Sequence, residues 1–337
     1  AGAAALLLQA KSGPGPRRQY SSLKVRDRLQ NSAHPTLWNL NPGLGFLDNA
    51  HRQGAGLLDI EAAILATVDV TPGKLNLGES AAGPQTRTLT ITNTGASAVT
   101  LDLSHRAALS TGPLSATNFA TVSYFGSDAS ASFSANPVVV AAGGTATVDV
   151  TINAATTPNL GQYGGYIDLT PQGGGQGIVV PYAGFIGDYQ ALVVLTPTVN
   201  GFPWLARLNA AGTSFTRELG PATYTMVGND VPQFLFHLNH QSTSLEFTVR
   251  STNGTPYYYI ARDTFVGRNT TAGGFFAQPW DGTTFNGGGL DPVATFTAPD
   301  GDYVVTMKVV KALGNRGNPA DVETWVSPVT SSPLWKP

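Results

Sequence analysis

The run Thr88-Leu89-Thr90-Ile91-Thr92-Asn93-Thr94-Gly95 decides the fold class. Polar and apolar residues alternate through Thr92, the period of a half-buried strand. Asn93-Thr94-Gly95 supplies turn chemistry, and the alternation resumes with Val99, Leu101 and Leu103 expected inward. Ala146, Val148, Val150 and Ile152 form another such run behind Gly143-Gly144, and residues 166–169 and 178–180 add two more. Strands at short intervals with turn signals between them predict an antiparallel sandwich.

After about Tyr189 the pattern continues in different sequence. Leu245, Phe247 and Val249 alternate, and Tyr257-Tyr258-Tyr259-Ile260 follows a turn at Asn253-Gly254. Pro299-Asp300-Gly301 is a turn, with Tyr303, Val305, Met307 and Val309 alternating behind it. This predicts a second sandwich ending near Pro328, with a short polar tail. No clear internal repeat links the two.

The composition suits this reading. The 337 residues are enough for two or three domains, and only 12% are charged, which is poor for long amphipathic helices. A formal charge of −2 gives no electrostatic footprint for nucleic acid. The absence of cysteine excludes disulfides, thiol catalysis and cysteine-ligated metal. No stretch approaches the ~20 apolar residues of a membrane span, so no transmembrane segment is expected. Residues 1–8 are apolar but lack a basic leader, so they do not read as a signal peptide. A chain that begins in mid-apolar run without Met reads as cut from something longer.

Residues 1–67 are helical in character. Residues 3–8 are apolar all round, which predicts a helix buried on every side. Ser22 can cap a second helix with Val25 and Leu29 as its stripe. Asp59 suits the N-cap of a third, with Ile60, Ala63 and Ile64 inside. Three such helices cannot cover the first by themselves, so a larger absent part, a sheet, is expected over it.

Here a family becomes recognisable. Ala1-Gly2-Ala3-Ala4-Ala5-Leu6-Leu7-Leu8 resembles the helix that follows the catalytic serine in subtilisin-like serine proteases. Leu23-Lys24-Val25-Arg26-Asp27-Arg28-Leu29 resembles the next helix of that family. Gly54-Ala55-Gly56-Leu57-Leu58-Asp59 is similar to the Gly-x-Gly-Leu element that closes its catalytic domain. Each is weak alone; in this order and spacing they are specific. Leu89 to Gly95, Leu103-Ser104-His105, Tyr163-Gly164-Gly165-Tyr166-Ile167 and Val180-Pro181-Tyr182-Ala183-Gly184-Phe185 resemble the fibronectin type III-like domain behind the catalytic domain of large subtilases. Trp280-Asp281-Gly282, residues 299–303 and residues 323–328 resemble a second accessory sandwich of the same architecture. The resemblance implies endopeptidase chemistry by an Asp-His-Ser triad. All three members would precede residue 1, so no catalytic residue is assigned here.

Other candidates weigh toward structure. His34, His51, His105, His237 and His240 follow no metal spacing. His237 and His240, three apart in a strand-like run, point to opposite faces. His105 is expected to pack or to bond backbone. Asp281, Asp291, Asp300 and Asp302 are the one candidate set for calcium, yet Asp281-Gly282 and Asp300-Gly301 are ordinary turn pairs. Glycine runs 173–175 and 287–289 lack the Lys-Ser/Thr or helix of a phosphate cradle and read as loops. The triple tyrosine 257–259 reads as core plus edge, with carbohydrate or peptide stacking as the minor alternative. Asn253-Gly254-Thr255 and Asn269-Thr270-Thr271 are glycosylation sequons, relevant in a eukaryotic source.

The expected architecture is mainly β. A remnant of an α/β subtilisin-type catalytic domain at 1–67 precedes two fibronectin type III-like sandwiches in series, at 68–190 and 191–337. The expected function is that of the C-terminal part of a secreted or cell-surface subtilase. Its accessory modules would brace the missing catalytic domain and contact protein or peptide substrates, with no cofactor required. A non-enzymatic surface module that binds protein or glycan is the alternative. An independent hydrolase with a carboxylate pair is more distant, because nothing singles out two acids.

Overall fold

The computed structural model describes residues 1–11, 21–112, 123–287 and 294–332. They form a mainly β protein of two compact units, one of residues 1–112 with 123–188 and one beginning at Tyr189.

The first unit opens with helices α1 (Gly2–Lys11), α2 (Ser22–Asn31), α3 (Ala50–Gln53) and α4 (Ile60–Leu65). Asp59 caps α4 as its sequence predicts, its Oδ1 accepting from Ala62 N at 2.8 Å. The cap of α2 is Ser21 rather than Ser22, its Oγ accepting from Lys24 N at 3.2 Å. Helix α1 is not buried on every side. Only Leu7 is enclosed, against Val25 and Ala63, while Leu6 and Leu8 stay exposed.

The described strands of this unit are β1 (Val68–Thr71), β2 (Leu75–Glu79), β3 (Gln85–Asn93), β4 (Val99–Ala107), β5 (Ser110–Gly112), β6 (Ser123–Phe125), β7 (Ser130–Phe133), β8 (Val138–Val140), β9 (Thr145–Asn153), β10 (Gln162–Pro171) and β11 (Ile178–Phe185). One sheet runs β1-β3-β9-β7. The other runs β2-β11-β10-β4-β8, with β5 on β10 and β6 on β5. Leu89, Ile91, Leu101, Val150, Ile167 and Leu169 meet between the sheets with no exposure, on the inner side that the period-two pattern predicts. Each such side chain contributes roughly 1.5–3 kcal/mol of burial.

Strand β10 departs from simple alternation because both of its faces are covered. Its outward Tyr166 packs with Val179, Leu47, Ala50 and Ala108, and its hydroxyl donates to Gly54 O at 3.0 Å. Gly164 makes room for this layer: a Cβ there would lie 2.8 Å from that of Ala50 and 2.7 Å from Tyr182 O.

Several side-chain bonds from the helical segment cross the boundary expected near Val68. Asn31, buried at the end of α2, accepts from Val70 N of edge strand β1 at 2.9 Å. Its Nδ2 lies 3.5 Å from Val179 O of β11 in the opposite sheet. Arg28 Nη2 pairs with Asp69 at 2.6 Å. Asn49, which has no exposure, donates to Leu109 O at 2.8 Å.

The second unit holds β12 (Trp204–Leu208), β13 (Phe215–Glu218), β14 (Ala222–Thr223), β15 (Pro232–Phe236), β16 (Ser242–Ser251), β17 (Pro256–Val266), β18 (Phe276–Pro279), β19 (Thr283–Asn286), β20 (Ala294–Thr297), β21 (Gly301–Lys311), β22 (Val322–Val326) and β23 (Thr330–Ser332). A four-stranded sheet is ordered β13-β12-β15-β18. The larger sheet is ordered β14-β23-β21-β16-β17-β19-β20, with β22 also on β21. Phe234, Phe247, Val249, Val305, Met307 and Val309 share its core with Trp280 and Tyr303.

Asn31→Ala is expected to lower stability by about 1–3 kcal/mol, because it strands the buried N–H of Val70. Urea unfolding checks this. A loss below about 0.5 kcal/mol would show that the amide does not hold β1.

Candidate functional site

The helical layer presents an unusually apolar surface. Leu6, Leu8, Leu23, Leu37, Leu40, Leu44, Phe46, Leu57, Leu58 and Leu65 are all exposed. These ten lie within a fifth of the chain, while eleven exposed large apolar side chains are spread over the remaining described residues. Four of them ride on a hairpin-like loop. Leu37 bridges Leu47, Trp38 N donates to Phe46 O at 2.8 Å, and a turn at Pro42–Leu44 closes on Gly45 in the left-handed region. The Gly-x-Gly-Leu element has a steric cause. Gly56 sits at φ 109°, and a Cβ there would come within 2.1 Å of His34 O. That approach lets His34 and Leu57 exchange two backbone hydrogen bonds of 2.8 Å.

Between α2, α4, the start of β1 and the loops at 93–99 and 171–178 lies a cleft of about 670 Å³. Arg28 is buried in its floor, donating to Ala66 O and paired with Asp69. Lys11 Nζ reaches Ala66 O at 3.5 Å, and burial lowers its pKa. Asp59 and Glu61 line the same cleft. The N-cap bond from Ala62 and then His34 hold Asp59 below the usual carboxylate range.

Ser32, His34 and Asp59 come together here, which sequence spacing gave no reason to expect. They do not form a nucleophilic relay. His34 Nε2 meets Asp59 Oδ2 at 3.1 Å, but Ser32 Oγ is buried and donates to the carbonyls of Arg28 and Asp59 at 3.0 and 3.2 Å. A hydroxyl so bonded directs its proton at backbone carbonyls rather than at an imidazole that would take it.

The remaining histidines are dispersed. His51 Nε2 lies 3.3 Å from Tyr163 O, and burial lowers its pKa. His105 stacks on Tyr182, with ring centroids 5.7 Å apart, and meets its hydroxyl at 2.8 Å. His237 Nδ1 donates to Gly274 O at 2.6 Å, while His240 stands edge-on to Tyr189. Burial, with the Arg268 guanidinium nearby, pushes His240 down to about 4.

The two sequons differ. Asn253 is exposed on the β16–β17 turn. Asn269 is 8% exposed, and its Oδ1 accepts from Leu238 N at 2.8 Å, which closes it to a glycan in the folded unit. Asp281 Oδ1 accepts from Thr283 N and Asp302 Oδ1 from Ser331 Oγ, in turn and cross-strand roles. Asp291 and Gly288-Gly289 lie outside the described residues. Among the described residues no three His, Asp or Glu side chains converge as a metal site. Tyr257 packs edge-on to Tyr303, Tyr258 is exposed and stacks on Phe296, and Tyr259 faces Phe285.

A second polar centre escaped sequence reading. Glu246 on β16, only 3% exposed, lies 3.0 Å from Arg262 on β17 and 2.6 Å from Arg316. The register places Glu246 opposite both Arg262 and Lys308. Only strand pairing reveals this, since the residues are 16 to 70 positions apart.

An Fn3-like family model matches residues 75–183. No curated protein matches the sequence. Among solved structures, the PapD-like domain 7 of human CEP192 is similar over 36% of this chain and 84% of its own, at 13% identity and TM-score 0.26. The Pseudomonas aeruginosa CupB2 chaperone covers 76% and 98%, at 11% identity and TM-score 0.24. The CooA pilin subunit from enterotoxigenic Escherichia coli covers 36% and 100%, at 14% identity and TM-score 0.25.

Two stability tests follow from these groups. Glu246→Ala leaves two guanidiniums facing each other and is expected to cost about 2–3 kcal/mol. Loss of a partner from a fully buried pair costs about 3–5, and Arg316 is half-exposed. Urea unfolding reads it, and a change under about 0.5 kcal/mol would overturn the assignment. His240 takes up its proton near pH 6.5 when unfolded but near 4 when folded, so the unfolded state binds more protons between those values. Stability is therefore full above pH 6.5 and falls as pH drops toward 4. Its share is about 2–3 kcal/mol between pH 7 and 4.5. Unfolding of His240→Gln at both pH values should show a correspondingly smaller drop.

Proposed function

We propose that this chain is the C-terminal part of a secreted subtilisin-like serine endopeptidase. Its sandwich units brace a catalytic domain that precedes residue 1 and add contacts for protein substrates. The observation that carries this reading is the concentration of exposed leucines on residues 1–67. Several large apolar side chains held in water forfeit roughly 1.5–3 kcal/mol each relative to burial, so such a surface calls for a cover. The rest of an α/β catalytic domain is a cover of suitable chemistry.

The order of the three quoted motifs supports the same reading, as does the Fn3-like match directly behind them. The steric need for Gly56 gives the Gly-x-Gly-Leu element a structural role that a chance occurrence would lack. In this reading the chain supplies no nucleophile and no cofactor, and it acts outside the cell. In a eukaryotic source Asn253 would be its glycan acceptor.

Two measurements test the proposal. The reading frame upstream of Ala1 should encode a Gly-Thr-Ser-Met-type signature a short distance before it, with the histidine and aspartate further upstream. A frame without them leaves the surface-module reading in its place. The chain alone should neither digest casein nor react with a fluorophosphonate, and stoichiometric labelling would refute the assignment of catalysis to the missing part.

A further inference from the structure

The outward face of the eight-stranded sheet in the second unit carries a charge pattern opposite to that of the whole chain. Antiparallel partners share a face, so register alone fixes its membership. Thr324, Lys308, Glu246 and Arg262 form one row across β22, β21, β16 and β17. Val326, Thr306, Thr248, Tyr259 and Phe285 form the next, extended onto β19. Arg250 follows on β16, and Arg316 reaches over Glu246 from the loop behind β21.

The cations of this face are Arg250, Arg262, Lys308 and Arg316, and its anions are Glu246 and Asp302. Asp302 is engaged by Ser331 at 2.6 Å. Glu246 is enclosed and already neutralised by Arg262 and Arg316, so three cations around one buried carboxylate leave a local surplus of positive charge. Lys308 and Arg250 are exposed, and Arg316 is half-exposed. In a chain of formal charge −2 this surplus is a local feature rather than a general one.

The rings lie beside the cations. Tyr259 and Phe285 are 5.8 Å apart at 33°, and the Arg262 guanidinium sits 5.2 Å from the Tyr259 centroid. Thr248 donates its hydroxyl to Thr306 O at 3.4 Å, and Thr306 and Thr324 stand on the same face as further hydroxyl groups. We infer that this face binds a carboxylate-bearing polysaccharide, with Lys308 and Arg250 taking its acid groups and Tyr259 and Phe285 stacking on sugar rings. Charge complementarity requires an anion. A sheet face, unlike a sheet edge, presents no row of backbone donors to an extended peptide. It does offer hydroxyls and ring surface to a linear polymer lying across it. Lys308 stands in the row of Glu246, four residues along β16 from Arg250 or about 13 Å, so the two cations would meet acid groups several sugars apart.

The test uses the full chain with polygalacturonate as probe and a neutral galactan of similar length as control. Lys308 and Arg250 make no ion pair among the described residues, so Lys308→Gln with Arg250→Gln should leave folding intact, checked by circular dichroism. Binding to polygalacturonate at low salt is expected, weakened roughly tenfold by the double variant. It should be lost near 0.5 M NaCl, where screening acts within about 4 Å. Lys24→Gln with Lys74→Gln, in the first unit, should leave it unchanged. No binding, equal binding of the galactan, or undiminished binding by the double variant would overturn the inference. Poly-glutamate bound as tightly as polygalacturonate would overturn the saccharide assignment and give the face to an acidic polypeptide. None of these outcomes bears on the upstream reading frame, so the protease proposal stands or falls separately.

Discussion

The side-chain amide of Asn31 is the constraint on which the first unit depends. Strand β1 is the edge of its sheet, with β3 on one side and helix on the other. An edge strand covered by a helix cannot reach water, and its backbone N–H must find a partner. Asn31 accepts that hydrogen from Val70 and turns its NH₂ toward Val179 in the opposite sheet, so one buried residue spans the sandwich. Arg28 and Asn49 repeat the device, each spending side-chain donors on backbone or carboxylate groups beyond Val68. The helical layer is thereby part of the first unit rather than an appendage to it.

The second unit solves a related problem with a carboxylate. Glu323 accepts from Val194 N at 2.8 Å and Leu195 N at 2.6 Å, and Lys311 stands 3.7 Å from it. Lys311 also donates to Gln190 O. The lone bridge between Leu195 and Leu238 uses the N–H groups of Thr196 and Asn239, and the carboxylate, a charged and stronger acceptor, takes those of Val194 and Leu195. Around Glu246 the same chemistry works outward: the carboxylate is enclosed by two arginines, and the surplus of cations is left at the surface.

These arrangements separate two kinds of surface. Residues 1–67 leave leucines in water, where burial of apolar area would drive docking. The outward sheet face of the second unit leaves cations and rings, which suit a solvated polyanion. One is a docking problem dominated by apolar area and the other by charge, so salt should act on them in opposite senses.

The sequence by itself determined the strands and their inner faces. Leu89/Ile91, Val148/Val150 and Tyr303/Val305/Met307 alternate because one face of each strand meets the core and the other meets water, and period two is written locally. It also placed the cap at Asp59. It failed where burial came from a distant segment. Tyr166 breaks the alternation because residues 47–54 cover β10 from outside, and no local pattern announces a cover more than a hundred residues away. The apolar run 3–8 fixed a helix but not which of its leucines is enclosed, since that depends on where α2 and α4 lie. The cluster at Glu246 and the meeting of Ser32, His34 and Asp59 were likewise settled only by tertiary structure. Register and chain crossings bring together charges whose sequence separation carries no information about their distance.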